Sequence, residues 1–296
     1  MKPAMLMRSI SKSTLRPILS SHGWPYLAPC DVTDGGFRYP IRLSERSAVT
    51  VEVTGLARSI RVVPDRNLTL RQTDRVKQNV RHMLCLDFPL DRFIAECQTK
   101  NAKPLLRLAR QGWGRMFRSP TFWEDAVKTL CTTNAAWPYT QKMCANLCAV
   151  LGRNTCFGLR TMPLPQDILA AGEVELVKDI GMGYRSKSLI ELAERAASGD
   201  VPWLLDHARA PDADTAEQEI QSWHGFGKYA TRHLLVLMGF HQYLPIDREV
   251  GNHLGIRMPG DKDSGLDSDH FEDWGKFRFT AYKLTRVAKR LNWIGD

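Results

Sequence analysis

The stretch that decides the reading is Trp223-His224-Gly225-Phe226-Gly227-Lys228-Tyr229-Ala230-Thr231-Arg232, followed by an apolar run and then Leu244-Pro245-Ile246-Asp247. Gly-x-Gly allows a tight turn, because glycine tolerates positive φ and leaves the backbone uncovered. The residues after it are helix formers, so the turn opens a helix whose first N–H groups point outward at the positive end of the helix dipole. A phosphate fits there, held by main chain, with the Lys228 charge beside it. The segment ending near Trp223 is helical too, which makes the unit a helix–hairpin–helix. Gly225, Gly227 and Lys228 are therefore the candidate DNA-backbone contacts. Pro245 forces a break before the next helix and leaves Asp247 as a lone carboxylate. Asp247 can serve as an N-cap, a common role of aspartate, although Val250 cannot complete a capping box with it. It can also return to the cleft beside the phosphate grip as a catalytic acid.

The rest of the composition agrees with a nucleic-acid partner. The chain has 296 residues, of which 43% are hydrophobic and 25% charged, enough for a sizeable core and two or three domains. Lysine and arginine number 41 against 32 acids, a net charge of +9 that attracts polyanions. Seven cysteines, an odd number, suit reduced thiols in a cytosolic or nuclear compartment. Cys144 and Cys148 have the spacing of a zinc pair, but no second pair follows, so they read as buried thiols. No cysteine follows Cys156, which excludes a four-cysteine iron–sulfur loop near the C-terminus. No apolar run approaches membrane-spanning length. Before the first acid, Asp31, stand Lys2, Arg8, Lys12 and Arg16 among serines and leucines. That start reads as an organelle transit peptide or as a simple basic tail.

Periodicity divides the chain in two. Asp34-Gly35-Gly36 is a turn signal, and Ser47 to Val53 alternates with β-branched residues. With Ile60-Arg61-Val62-Val63 this predicts a small antiparallel sheet, within a β-rich domain over 1–72. From Gln72 the pattern is helical, which predicts a helical region over 73–296. Ser119-Pro120 supplies an N-cap and a first-turn proline for one helix, and Pro138 to Gly152 forms another. Tyr184 to Gly199, Thr215 to Trp223 and Lys228 to Gly239 give three more, and Trp274 to Leu291 reads as one long basic helix. Gly260 to Asp269 reads as an exposed acidic loop. The expected class is α+β: mainly helical, with a small N-terminal antiparallel β domain.

Four segments, in order, carry a resemblance to a known family. Trp223 to Gly255 is similar to the helix–hairpin–helix plus Gly/Pro…Asp (HhH-GPD) signature of the endonuclease III superfamily of DNA glycosylases. Ile180-Gly181-Met182-Gly183-Tyr184-Arg185-Ser186-Lys187 resembles the Gly-Tyr-Arg segment of 8-oxoguanine DNA glycosylases and of bacterial 3-methyladenine DNA glycosylase II (AlkA). Leu130-Cys131-Thr132-Thr133-Asn134 is similar to the Ser-Ser-Asn stretch of the oxoguanine enzymes. Val80 to Phe88 resembles the junction between β and helical domains in both groups. The resemblance spans about residues 40 to 290.

The resemblance implies a base-excision-repair enzyme that flips a damaged, alkylated or oxidised base out of double-stranded DNA and hydrolyses its glycosidic bond. Asp247 falls on the catalytic aspartate. Tyr229 stands where bifunctional members carry the lysine that forms an imine, and tyrosine cannot form one, so a monofunctional enzyme is expected. Lys228 is one step earlier, turned by ~100° toward phosphate. Tyrosine at this point also resembles mismatch thymine/uracil glycosylases, an alternative reading, and a non-catalytic helix–hairpin–helix DNA-binding protein is another. Asn134, Tyr184 and Arg185 match residues that wedge or fill the gap left by the flipped base. Arg185 matches one of two arginines that read the orphaned cytosine, whereas the partner position carries Tyr139. Trp137, Tyr139, His233, Phe277 and Tyr282 are candidates for stacking on the flipped base. The family hairpin often holds a monovalent cation, K+ or Na+, through backbone carbonyls, here those of Gln221, Trp223 and Phe226. No redox cofactor or catalytic metal is required by this chemistry. A monomer is expected, located in the cytoplasm and nucleoid or in the nucleus.

Overall fold

The computed structural model describes residues 4–7, 12–256 and 268–294. Lys2, Arg8 and residues 260–267 of the expected acidic loop lie outside the described residues.

Five strands form one antiparallel sheet in the order β1-β5-β4-β3-β2: β1 Met5–Met7, β2 Asp31–Thr33, β3 Gly36–Ser44, β4 Ser47–Gly55 and β5 Ile60–Pro64. Register follows from alternation. Phe37, Tyr39 and Ile41 of β3 stand opposite Val53, Val51 and Val49 of β4, and all six are fully buried on one face. The basic N-terminus enters this unit. β1 pairs along β5, and helix α1 (Lys12–Leu19) buries Leu15 and Ile18 in the same core. These segments are thus folded parts of the domain rather than a tail, because their apolar side chains cover the sheet.

Helices α2 (Leu70–Met83), α3 (Leu90–Thr99), α4 (Lys103–Arg110), α5 (Phe122–Thr132), α6 (Trp137–Leu151) and α7 (Pro165–Glu175) follow, then α8 (Arg185–Ser198), α9 (Ala213–Gln221), α10 (Lys228–Met238), α11 (Arg248–Leu254) and α12 (Arg278–Arg290). α2 opens on a complete capping box between Thr69 and Gln72. α5 begins two residues later than Ser119-Pro120 predicts. Thr121 is its cap, because Ser119 is buried and hydrogen-bonded to Asp125 and Lys128. The expected helix from Trp274 is interrupted: Gly275 has a left-handed φ, and a short 3-10 turn over Glu272–Phe277 precedes α12.

α5 is the axis of the molecule, buried from Phe122 through Cys131. Its three buried charged residues all have partners. Glu124 accepts from Tyr39 Oη at 2.6 Å, Asp125 accepts from Trp24 Nε1 at 2.8 Å, and Lys128 donates to Ser119 Oγ at 3.0 Å and Tyr39 Oη at 3.2 Å. These bonds tie the sheet and the loop after α1 to the helical region. A second core, built from α3, α4 and α12, contains Phe93, Leu108, Phe277 and Leu284.

Candidate active site

The hairpin between α9 and α10 is held from below. Trp223 and Phe226 are buried, Phe226 N–H donates to Trp223 O at 3.1 Å, and the Trp223 indole stacks on Trp203 with centroids 5.6 Å apart. The two glycines serve different needs. Gly225 has φ +85°, and a Cβ there would lie 2.7 Å from Ser188 Oγ and 3.0 Å from Leu130 Cδ1. Gly227 has φ −69°, so it needs no left-handed freedom, and a Cβ there would meet nothing within 4 Å. Only one glycine is therefore required by the turn; the other keeps the outer surface of the hairpin bare. Gly227 caps α10 without a side-chain bond, and Lys228 is exposed in the first turn. The first N–H groups of α10 thus lie behind an uncovered surface flanked by a cation.

Asp247 is half-buried at the N-cap of α11, and its Oδ1 accepts from Val250 N–H at 2.7 Å. The cap and the candidate catalytic role use the same carboxylate, and the bond to Val250 fixes its orientation. α12 runs alongside. Arg286 donates to Glu249 at 3.2 Å and to Tyr282 Oη at 3.1 Å, and Tyr282 packs against His253 with ring centroids 5.7 Å apart. Tyr282 is itself buried, with its hydroxyl pushed up to about 12, chiefly by burial.

On α10, Tyr229 and His233 stand one turn apart, with ring centroids separated by 5.7 Å. Trp24 packs on His233 at 4.9 Å, and His22 meets Trp24 edge-on at 5.1 Å. Both come from the loop after α1, where Gly23 lets Trp137 close in: a Cβ on Gly23 would fall 2.4 Å from the Trp137 ring. Lys283, on α12, links the two sides. Its ammonium lies close enough to lower the basicity of His22 and His233, and Asp247 and Glu249 act on it in return. Burial first, then Lys283, brings His233 down to about 4; burial first, then Arg286 and Arg290, brings Lys283 down to about 8. His233 Nε2 is buried with no hydrogen-bond partner among the described residues.

The remaining expected positions form a separate group. Asn134 is exposed in a left-handed conformation, φ +46°, and Tyr184 is 63% exposed. Arg185 joins them. Its guanidinium donates to Thr133 O and to Asn134 O at 3.1 Å and lies 4.6 Å over the Tyr184 ring. Arg185 is only 8% exposed, so it holds the Asn134 loop in place. Trp137 and Tyr139 are exposed at the start of α6. Phe277 lies elsewhere, packed edge-on against Phe88 and Phe93 in the second core. The carbonyls of Trp223 and Phe226 accept from Phe226 N–H and from Thr231 Oγ1 at 3.3 Å, and each keeps a second lone pair. Gln221, the third expected carbonyl, is the last residue of α9. No group of three or more histidine, cysteine or acidic side chains able to hold a metal occurs among the described residues. Cys144 and Cys148 are buried thiols.

Sequence reading missed His22, Trp24 and Lys283. The first two lie about 200 residues from α10 in the chain, and no local pattern marks them. Lys283 did leave a signal, since it sits one turn after Phe279 on the same helix face.

No family model matches the chain. It is 22% identical over 191 residues to an N-glycosylase/DNA lyase of Saccharomyces cerevisiae, 60% of this chain and 50% of that protein. The chain thus matches about half the length of that curated relative. Solved structures match nearly throughout. The 3-methyladenine DNA-glycosylase from Archaeoglobus fulgidus aligns over 99% of this chain and 100% of its own at 15% identity, with a TM-score of 0.71. The Clostridium acetobutylicum 8-oxoguanine glycosylase/lyase in its apo form aligns over 96% of each chain at 15% identity, with a TM-score of 0.72. The same enzyme in complex with dsDNA containing cytosine opposite 8-oxoG aligns over 99% and 98%, also at 15%, with a TM-score of 0.70. The chain has the helix–hairpin–helix DNA glycosylase fold, related to that of the 3-methyladenine and 8-oxoguanine groups.

Proposed function

We propose that this chain is a monofunctional DNA glycosylase that removes a damaged base, alkylated or oxidised, from double-stranded DNA. The observation that carries the reading is a lone carboxylate, Asp247, held at the cap of the helix that follows a bare Gly-x-Gly hairpin, in a fold that known glycosylases have. The bare hairpin and Lys228 hold a backbone phosphate. Asn134 and Tyr184 enter the stack, and their contacts offset part of the few kcal/mol that extrusion of a base requires. The extruded base rests beside His233 and Trp24. As the glycosidic bond breaks, positive charge grows on the deoxyribose, and the Asp247 carboxylate, held by Val250 N–H, stabilises it and orients the attacking water. Tyr229 offers no amine for an imine, so water completes the reaction and the strand stays intact. A monovalent cation at the carbonyls of Gln221, Trp223 and Phe226 would bring positive charge next to the bound phosphate. The protein acts as a monomer in this scheme.

The test is base release from duplexes carrying single alkylated, oxidised or mismatched bases, each with four opposite bases, read by alkaline cleavage of the abasic product. Release of at least one damaged base, abolished in Asp247→Asn, is expected. Release of mismatched thymine or uracil alone would favour the alternative suggested by Tyr229. Tight duplex binding with no release from any substrate would make the chain a non-catalytic DNA-binding protein.

A further inference from the structure

A cavity of about 590 Å³ lies at the end of α5 away from the hairpin. Trp123 and Glu124, in the first turn of α5, line it, whereas Leu130, about 10 Å further along that helix, packs against Gly225. Neither the hairpin nor Asp247 contributes to its walls. Those walls join segments distant in the chain: the end of β3, the start of α2, the start of α5 and the approach to α7. Leu43, Met162 and Leu164 give it apolar surface, and Trp123 adds no polar demand, because its Nε1 already donates to Pro163 O at 2.8 Å.

Cations supply much of the remaining lining. Arg71 and Arg75 are exposed and stand one turn apart on α2, so they share a face. Asp74, the acid between them in sequence, pairs with Lys77 at 3.8 Å, and neither arginine has an ion-pair partner among the described residues. The Arg42 side chain is only 9% exposed; it donates to Asp167 at 2.5 Å and to Glu45 O at 3.2 Å, while its buried Nε has no partner among the described residues. Thr69 and Thr121, the N-caps of α2 and α5, also line the cavity, so the positive ends of two helices of 14 and 11 residues lie at its wall. The acids in the lining are Glu45 and Glu124, and burial pushes the Glu124 carboxyl up to about 7, so near neutrality it carries only part of a charge.

We propose that this cavity is a second binding site, for a free nucleoside monophosphate, with the phosphate held by Arg71 and Arg75 and the base laid against Leu43, Met162 and Leu164. The volume falls within the roughly 300–1,000 Å³ of small-molecule sites. Guanidinium groups match phosphate oxygens two at a time, and two of them one turn apart can grip one phosphate from both sides. A nucleobase has apolar faces and a polar edge; the side-chain amides of Gln72 and Gln166, both in the lining, offer donors and acceptors to that edge. A lipid tail would leave the two arginines unused, and inorganic phosphate would leave the apolar wall uncovered. The site goes beyond the glycosylase reading and does not rest on it, since no residue of the hairpin or of α11 takes part.

The experiment is titration calorimetry of the full chain with AMP, GMP, CMP and TMP, alongside inorganic phosphate, adenosine and octanoate, at near-physiological salt. The proteins are the wild type, the double variant Arg71→Gln/Arg75→Gln and Lys228→Ala, with thermal melting confirming the fold. Both arginines are exposed, so their replacement leaves the core intact. The expected result is saturable one-to-one binding of at least one nucleoside monophosphate, roughly tenfold or more tighter than inorganic phosphate or adenosine. Each charge-assisted contact is worth roughly tenfold, so the double variant should weaken binding by roughly a hundredfold. Lys228→Ala, altered at the hairpin, should bind as the wild type does. No saturable binding of any nucleotide at millimolar concentration overturns the proposal, as does affinity unchanged in the double variant. Inorganic phosphate or octanoate binding as tightly as the best nucleotide overturns it too, and loss of nucleotide binding in Lys228→Ala would place the nucleotide at the hairpin instead. Base release enters none of these readouts, so failure of the glycosylase reading is a separate result.

Discussion

Replacing Asp247 by asparagine separates the cap that the structure shows from the catalytic role proposed for this side chain. As a cap, Asp247 Oδ1 accepts from Val250 N–H at 2.7 Å. Asparagine supplies the same amide-to-carbonyl geometry and ranks with aspartate as an N-cap, so the loss of stability should stay within a few tenths of a kcal/mol. Alanine, by contrast, leaves the Val250 N–H uncapped and costs about 1 kcal/mol, a shift of roughly 2–4 °C in Tm for a chain of this size. As a catalytic group, the carboxylate contributes through its charge, which asparagine lacks. Loss of a stabilising charge or base at the reacting centre lowers kcat by about 10²–10⁴-fold, or about 3–5 kcal/mol. Asp247→Asn should therefore keep the wild-type Tm and bind duplex DNA normally while base release falls by at least a hundredfold. The assay is single-turnover release from a duplex that the wild type processes, alongside thermal melting and equilibrium binding. A full excision rate at unchanged Tm would refute the catalytic assignment and leave Asp247 as a cap only.

Three further outcomes are expected. Gly227→Ala should fold normally, because its Cβ meets nothing, yet weaken DNA binding at the bare hairpin; Gly225→Ala should lose about 1–3 kcal/mol of stability from its positive φ and the 2.7 Å approach to Ser188 Oγ, as melting and filter binding would show. Borohydride reduction in the presence of abasic DNA should trap no adduct with the wild type and should trap one with Tyr229→Lys; a wild-type adduct lost in Lys228→Ala would overturn the water mechanism. Stability should fall as pH drops from 6.5 toward 4. His233 and His241 have folded values brought down by burial to about 4 and about 3, and His22 and His82 are lowered too, so the unfolded chain takes up more protons in this window. Glu124, raised by burial to about 7, and Asp125, also raised by burial, oppose them, since the folded state then holds their protons longer. A Tm that rises on acidification through this window would contradict that balance.

Much of the molecule was legible in the order of residues because local physics wrote it there. Alternating β-branched residues specify β3 and β4, whose inner face is buried, and Gly-x-Gly followed by helix formers specifies the hairpin. The break at Pro245 delivers Asp247 to the start of α11. Lysine's absence at Tyr229 bears on mechanism without any coordinates, since an imine needs an amine. Other expectations failed where distant packing overrode a local signal. Ser119 reads as a cap until Asp125 and Lys128 claim it, and Trp274 begins no long helix because Gly275 turns the chain.

By itself, then, the sequence determined the two-part α+β class, the hairpin and the lone acid, since each depends on neighbours within a few turns of chain. Only the tertiary structure decided which side chains meet beside α10. His22 and Trp24 come from the loop after α1, His233 from α10 and Lys283 from α12, and no periodicity records that these segments meet. Packing of the loop after α1 against α5 and α10 brings His22, Trp24 and His233 together.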